Sequence, residues 1–347
     1  MKTLAVLTSG MVTGVGLSAP ASFAAIRCKI NRFEETRFFD RDGEPIIASS
    51  VPLEQPWRGR AKLVQMVASA IRECLAANAA VPVERIPLLL CVAEKERPGR
   101  LEGLDDAFLA ELGDELRVVF HQRSAIIAQG RVGGAVAVEM ARTLIHGDGF
   151  SLCLVAGADS FLSAATLAAY EQKDRLLTSL NSNGFIPGEA GTAVLLGHPG
   201  RDPKPELLCL GIGFGKERAT VESEEPLRAE GLVEAFQAVC ADSGGSLDDA
   251  DYRLTDANGE QYFFKEAALA VSRTVRKLKK EFDIWHPVDC IGEVGAAIVP
   301  CVLGVALDAA RKRYAPGVGA LCHFSNDTGE RAALLLRASE REGVRDG

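Results

Sequence analysis

Gln129-Gly130-Arg131-Val132-Gly133-Gly134-Ala135 opens an apolar run that reads as a helix to about His146. The pattern returns as Gly292-Glu293-Val294-Gly295-Ala296-Ala297, with Arg131 and Glu293 in the same slot 162 residues apart. An internal repeat of this kind constrains the fold more than any propensity does, because both copies have to bury the same surface. A glycine on the first turn lets another backbone or a ligand approach the helix N-terminus, where free N–H groups point outward. Two such turns facing each other would place a site at the middle of the molecule.

The segments around the two turns follow one order. In the first half, Leu4–Leu7 reads as a strand closed by a tight turn at Gly10, Gly14 and Gly16. Residues 27–56 read as an irregular excursion around Asp40-Arg41-Asp42-Gly43. Helices are predicted over 61–76 and 104–112, and strands over 87–92, 118–121, 152–156 and 192–196. In the second half, strands are predicted over 206–210, 252–254, 284–286, 319–324 and 332–336. Helices are predicted over 228–241 and 263–282 and from Gly292 onward. His121 and His286 hold similar places, one strand ahead of each glycine turn. The organisation expected is a half at 1–198, a proline-rich linker at 199–205, a second half at 206–338 and a polar tail at 339–347. From Gly133 to Gly191 the first half is 24 residues longer than the second is from Gly295 to Gly329. The extra length falls in the connection 160–190, which could cover a site, mediate dimerisation or be a plain insertion.

Alternating strands and helices, doubled, imply an α/β protein of two similar halves with helices on both faces of buried sheets. The 347-residue chain is 47% hydrophobic and 25% charged, which fits a globular protein. A net charge of −8 argues against nucleic acid and anionic membranes as general partners. No apolar run reaches the roughly 18 residues a membrane span needs. The polar residues Thr8, Ser9 and Gly10 interrupt the N-terminal apolar run, so it reads as a buried strand rather than a signal peptide. Nine scattered cysteines without a CxxC pair suggest reduced, buried thiols and a cytoplasmic location.

Three further motifs now bear on identity. Leu4–Gly16 combines a strand with a glycine turn, Val155-Ala156-Gly157-Ala158-Asp159 follows the first buried helix, and Ile186-Pro187-Gly188-Glu189-Ala190-Gly191 ends the long connection. In order and spacing, over nearly the whole chain, they resemble the thiolase-fold superfamily, an acyltransferase superfamily, and most of all its β-ketoacyl-(acyl carrier protein) synthase branch. The resemblance implies an α-β-α-β-α layering with buried central helices. It also implies a catalytic Cys on the first turn of the first buried helix, where the helix N-terminus lowers its pKa. Two His residues stabilising the enolate and oxyanion belong to the same set. In this chain those positions fall on Gly130, Asn258 (in Asp256-Ala257-Asn258-Gly259) and Gly292. The family's glycine-rich loop near the C-terminus is degenerate at Ser325–Glu330.

The resemblance therefore implies a β-ketoacyl-synthase-like pseudoenzyme, a non-condensing accessory or binding subunit without cofactor or metal. By the same analogy it is a homodimer, or a heterodimer with an active synthase through the last strands of the first half, with acyl carrier protein a further partner. Two other readings stand beside it. An acyltransferase could use a non-family nucleophile, Cys290 or Cys322, with His323. A scaffold would bind no acyl group at all. Arg131 and Glu293 are expected either to pair across the pseudo-twofold, filling a vestigial pocket, or to leave Arg131 holding an anion. Arg273, Arg276, Lys277 and Lys280, spaced as one helical face, read as solvated or as a dock for an acidic partner.

Overall fold

The computed structural model describes residues 2–76, 81–200 and 205–339, so most of the predicted linker core (201–204) and the predicted tail from 340 lie outside the described residues. The first half runs β1 (Leu4–Thr13), α1 (Ala19–Arg27), β2 (Glu34–Phe39), β3 (Pro45–Ala48), α2 (Gly59–Ala76), β4 (Leu88–Val92), α3 (Phe108–Leu116), β5 (Ala125–Ala128), α4 (Gly133–His146), β6 (Leu152–Ser160), α5 (Ala164–Gln172) and β7 (Glu189–Gly197). The second half runs β8 (Leu207–Lys216), α6 (Glu230–Ser243), β9 (Tyr252–Thr255), α7 (Gln261–Thr274), β10 (Ile284–Trp285), α8 (Val288–Ile291), α9 (Ile298–Lys312), β11 (Gly319–Ser325) and β12 (Glu330–Ala338).

Each half orders its strands identically, β5-β4-β6-β7-β1 and β10-β9-β11-β12-β8, and a short β1–β8 pairing joins the two. The first three strands of each set are parallel, and the fourth (β7, β12) runs antiparallel to both its neighbours. Alternate residues on these strands serve different cores, as a period of two on a doubly covered sheet requires. Leu89, Cys91, Cys153 and Val155 face a central layer with α4 and α9, which also receives Leu254, Cys322 and Leu334 from the second sheet. Leu88, Leu90, Leu154 and Ala156 face α2 and α3. Leu321, Ala333 and Leu335 face α6. The layering is therefore α2/α3, first sheet, α4/α9, second sheet, α6/α7. The first ten residues of α9 are all buried, so its apolar surface runs all round, as a central helix needs.

Several predicted elements move. β1 continues through Gly10 to Thr13 instead of turning there, paired with β7 as far as Ala190; the glycine serves the close crossing of α2, where a Cβ would strike the Ala70 carbonyl. The strand expected at 118–121 lies instead at Ala125–Ala128, where β4 offers a parallel partner; Val119 is 81% exposed and has nothing to pair with. His121 thus precedes β5 while His286 follows β10, and the two are not equivalent. Residues 27–56 are not irregular throughout, since β2 and β3 form a hairpin around the Asp40–Gly43 turn. The helix expected over 263–282 stops at Thr274. Val275 is extended, and Asp248 accepts hydrogen bonds from the backbone N–H groups of Arg276 and Lys277. Arg276, Lys277 and Lys280 therefore share no helical face with Arg273. The long connection 160–190 contains α5 and folds back over the centre of the molecule.

Candidate functional site

The helices α4 and α9 each begin with a 3-10 turn, Gly130–Val132 and Gly295–Ala297. Gly130 (φ +53°) and Gly295 (φ +49°) both sit in the left-handed region that favours glycine. The structural repeat thus matches Gly130 with Gly295, three residues later than the sequence pattern, which aligned Gly130 with Gly292. A Cβ at Gly130 would run into the Glu94 carboxylate, and one at Gly295 into that of Asp159. Neither turn has room for a side chain.

Around the turns converge the residues that leave the carboxyl ends of the parallel strands: Glu94 and Arg97 after β4, Asp159 near the end of β6, Asp256 and Asn258 after β9, and Asn326 and Asp327 after β11. Strand ends of this kind are where α/β sheets present polar groups to a crevice. Here the groups bind one another. Arg131 Nη1 donates to Glu293 Oε2 at 3.3 Å, the cross-axis pair suggested by the shared slot, and Arg131 also binds Asp327. Asn258 Nδ2 donates to the same Glu293 oxygen at 2.7 Å. Arg175, from the long connection, holds Glu260 through two bonds of 2.7 Å and Asp327 through bonds of 2.6 and 3.2 Å. Arg97 grips Glu94 at 2.7 and 2.8 Å and lies 3.4 Å from Asp159. Arg97 and Arg131 lie over the rings of Phe161 and Phe263, at 4.1 and 4.6 Å from the centroids.

The helix N-termini are occupied as well. Asp159 accepts from the Ala296 N–H and Glu293 from the Gly295 N–H, both at 2.9 Å, so the positive end of α9 faces two of the protein's own carboxylates. At α4 the Val132 N–H donates to the amide oxygen of Asn326 at 3.3 Å. Within this assembly a cavity of about 10 Å³ remains, lined by Arg97, Arg131, Asn258, Glu293 and Asp327 among others. That is room for about one water molecule.

Charge states follow from burial set against pairing. Burial opposes the Arg131 charge, but Asp327, Glu293 and Asp256 outweigh it and keep the guanidinium ionised. Burial also opposes ionisation of Asp327, and there Arg131 and Arg175 prevail, holding it well below the usual carboxylate range. For Asp256 burial prevails over the more distant Arg131 (3.9 Å) and the Ser325 N–H that donates to it at 2.9 Å, and the acid is pushed up to about 7.

Of the positions assigned by the resemblance, Gly130 lies in the first turn and Asn258 is spent on Glu293. Gly292 (φ +70°) abuts the Ile186 and Pro187 carbonyls, which a Cβ would meet at 3.0 Å. Cys290, Cys322 and His323 do not line the cavity. Burial raises the thiol pKa at Cys290 and, far more, at Cys322, whereas a reactive thiol needs a lowered one. Burial lowers His323 to about 3; its Nδ1 lies 3.2 Å from the Thr255 hydroxyl and its Nε2 meets no partner among the described residues. Among the described residues no group of three His, Cys, Asp or Glu is placed to hold a metal, and no helix is long and apolar enough to cross a membrane.

The architecture is that of the thiolase-like ketosynthases. Solved structures sharing it include a ketosynthase in complex with its chain length factor from Xenorhabdus doucetiae, 12% identical with a TM-score of 0.71, covering 97% of this chain and 98% of that one. A type II PKS acyl-carrier protein in complex with its ketosynthase is 14% identical with a TM-score of 0.78, covering 97% and 99%. A β-ketoacyl synthase from Burkholderia phymatum STM815 is 13% identical with a TM-score of 0.74, covering 98% and 100%. At these identities the likeness is one of fold. No protein-family profile and no curated protein matches the sequence.

Proposed function

We propose that this protein is a non-condensing subunit with the ketosynthase fold, an accessory partner of a catalytically complete ketosynthase-type chain. The filled centre carries the reading: where a condensing enzyme needs a nucleophile, two imidazoles and space for an acyl group, this chain has Gly130, Asn258, Gly292 and about 10 Å³. Without a nucleophile the acyl-enzyme route is closed. Losing even one oxyanion donor costs roughly 10²–10³ in rate. The partner is inferred from proteins of the same fold, which include ketosynthases solved with a chain length factor and with an acyl-carrier protein. Nine free thiols suit a reducing compartment such as the cytoplasm. Condensation through Cys290 or Cys322 draws no support from two thiols that burial keeps protonated and that lie outside the cavity.

The test is co-expression with an active ketosynthase from the same organism, followed by size-exclusion chromatography with light scattering. Intact-mass analysis of this chain with malonyl- and acyl-thioesters accompanies it. A stable mixed complex and an unmodified chain are expected. An acyl adduct or thiol release that disappears in Cys290→Ala or Cys322→Ala would overturn the reading. Absence of any complex with a synthase would favour the scaffold instead.

A further inference from the structure

A second cavity, of about 360 Å³, opens between α1, the end of β10 and α9, and shares no lining residue with the filled centre. Its size lies at the lower end of ligand sites, which run from roughly 300 to 1,000 Å³. Trp285 and Tyr314 form an aromatic wall, their rings stacked with centroids 6.0 Å apart and planes within 23°. Ile26 and Val305, both buried, supply apolar surface beside it. The rim is cationic. The Arg27 guanidinium lies 4.3 Å above the Tyr314 ring and makes no ion pair among the described residues. Lys29 has a single loose contact, 4.0 Å from Asp289, with both side chains largely in solvent. The nearby acids are engaged elsewhere: Asp289 also lies 2.7 Å from His286, and Asp308 accepts from the Tyr314 hydroxyl at 3.0 Å. In a chain of net charge −8, two under-used cations at the mouth of an aromatic pocket run against the protein's overall charge.

We propose that this pocket binds a small aryl carboxylate. The ring packs on the Trp285–Tyr314 wall, and the carboxylate takes the two-pronged hydrogen bonds that a guanidinium offers from Arg27, with Lys29 as second donor. This site is independent of the accessory role above, since neither its residues nor its ligand enters the ketosynthase-type centre.

The chain has two tryptophans, so Trp57→Phe leaves Trp285 as the only reporter. The full-length protein in that background is titrated with 3-phenylpropionate and with the neutral 3-phenyl-1-propanol while tryptophan emission is followed. Saturable quenching by the carboxylate is expected, at least tenfold tighter than by the alcohol. Arg27→Gln should weaken it at least tenfold and Lys29→Gln by about threefold. Both residues are exposed, and circular dichroism checks the fold of each variant. No saturable change, equal binding of acid and alcohol, or indifference to both substitutions would each overturn the assignment.

Discussion

The two helix-opening turns share a backbone and differ in what seals them. At Gly295 the α9 N-terminus meets Asp159 and Glu293, two negative groups placed where a helix dipole favours them. At Gly130 the hydrogen bond from the α4 N-terminus goes to the neutral amide of Asn326. The Glu94 carboxylate packed against that turn is held by Arg97, and the cation Arg131 stands on the same turn. A buried arginine beside the positive end of a helix is doubly unfavourable, and it is tolerable here because Asp327 and Glu293 reach it from across the axis. Each turn draws on the opposite half: the α9 turn takes Asp159 from the first, and the α4 turn takes Asn326, Asp327 and Glu293 from the second. The duplication has thus become complementary in charge, and the complementarity locks the halves together at the place where a condensing enzyme keeps open space.

Cutting the dependence should produce the largest effect. Glu293→Ala removes an acceptor from Arg131, from Asn258 and from the Gly295 N–H together, and should cost about 3–5 kcal/mol in urea unfolding, the range for breaking a buried pair. Arg131→Met with Glu293→Leu should recover more than half of that loss, because Asp327 keeps Arg175 as its partner. A double variant as unstable as the single would show that the pair is not the seam described. Crowding at the first turn comes next. Gly130→Ala meets both the left-handed backbone and Glu94, and should cost about 1–3 kcal/mol. Gly149→Ala is the control, with the same backbone region (φ +79°) but open space around it, and should cost less. Equal losses at the two sites would mean that Glu94 yields freely and that the turn is not closed.

Much of this was legible in the chain because buried elements keep their period. The repeated glycine pattern located both central helices, and the shared slot of Arg131 and Glu293 pointed to their pairing. The three-residue offset between the copies was hidden, since Gly292 and Gly295 both fit the pattern and only backbone geometry separates them. Glu94, Arg97, Arg175 and Asp327 were missed as site residues because charged residues in loops read as solvated. A usable signal existed: six of the site's charges or amides follow closely on the apolar runs at β4, β9 and β11, and the ends of parallel strands are where crevices form. The aryl pocket left no trace in sequence, since Arg27, Trp285, Val305 and Tyr314 meet only through the packing of α1 against the second half.

A smaller effect separates the acids around Arg131 by pH. The folded pKa of Asp256, about 7, lies above its unfolded value of roughly 4. Its protonated form therefore favours folding: the contribution is full below about pH 4 and is lost as pH rises to about 7. Asp327 has the opposite sign, because its folded pKa is depressed; its contribution is present above about pH 4 and is lost as pH falls below that. Asp256→Asn, which imitates the protonated acid, should flatten the decline in melting temperature between about pH 4 and pH 7 and leave the acid limb in place. Parallel curves for wild type and variant would remove Asp256 from the account. The smallest effect sits one residue from the network. Asp174 and Arg175 are neighbours in sequence, but Asp174 pairs with Arg41 in solvent while Arg175 holds Glu260 with both side chains nearly sealed. Asp174→Ala should leave the urea midpoint unchanged within error, and Arg175→Ala should shift it far down. If the two shifts were alike, burial would not be what gives the central arginines their hold on the halves.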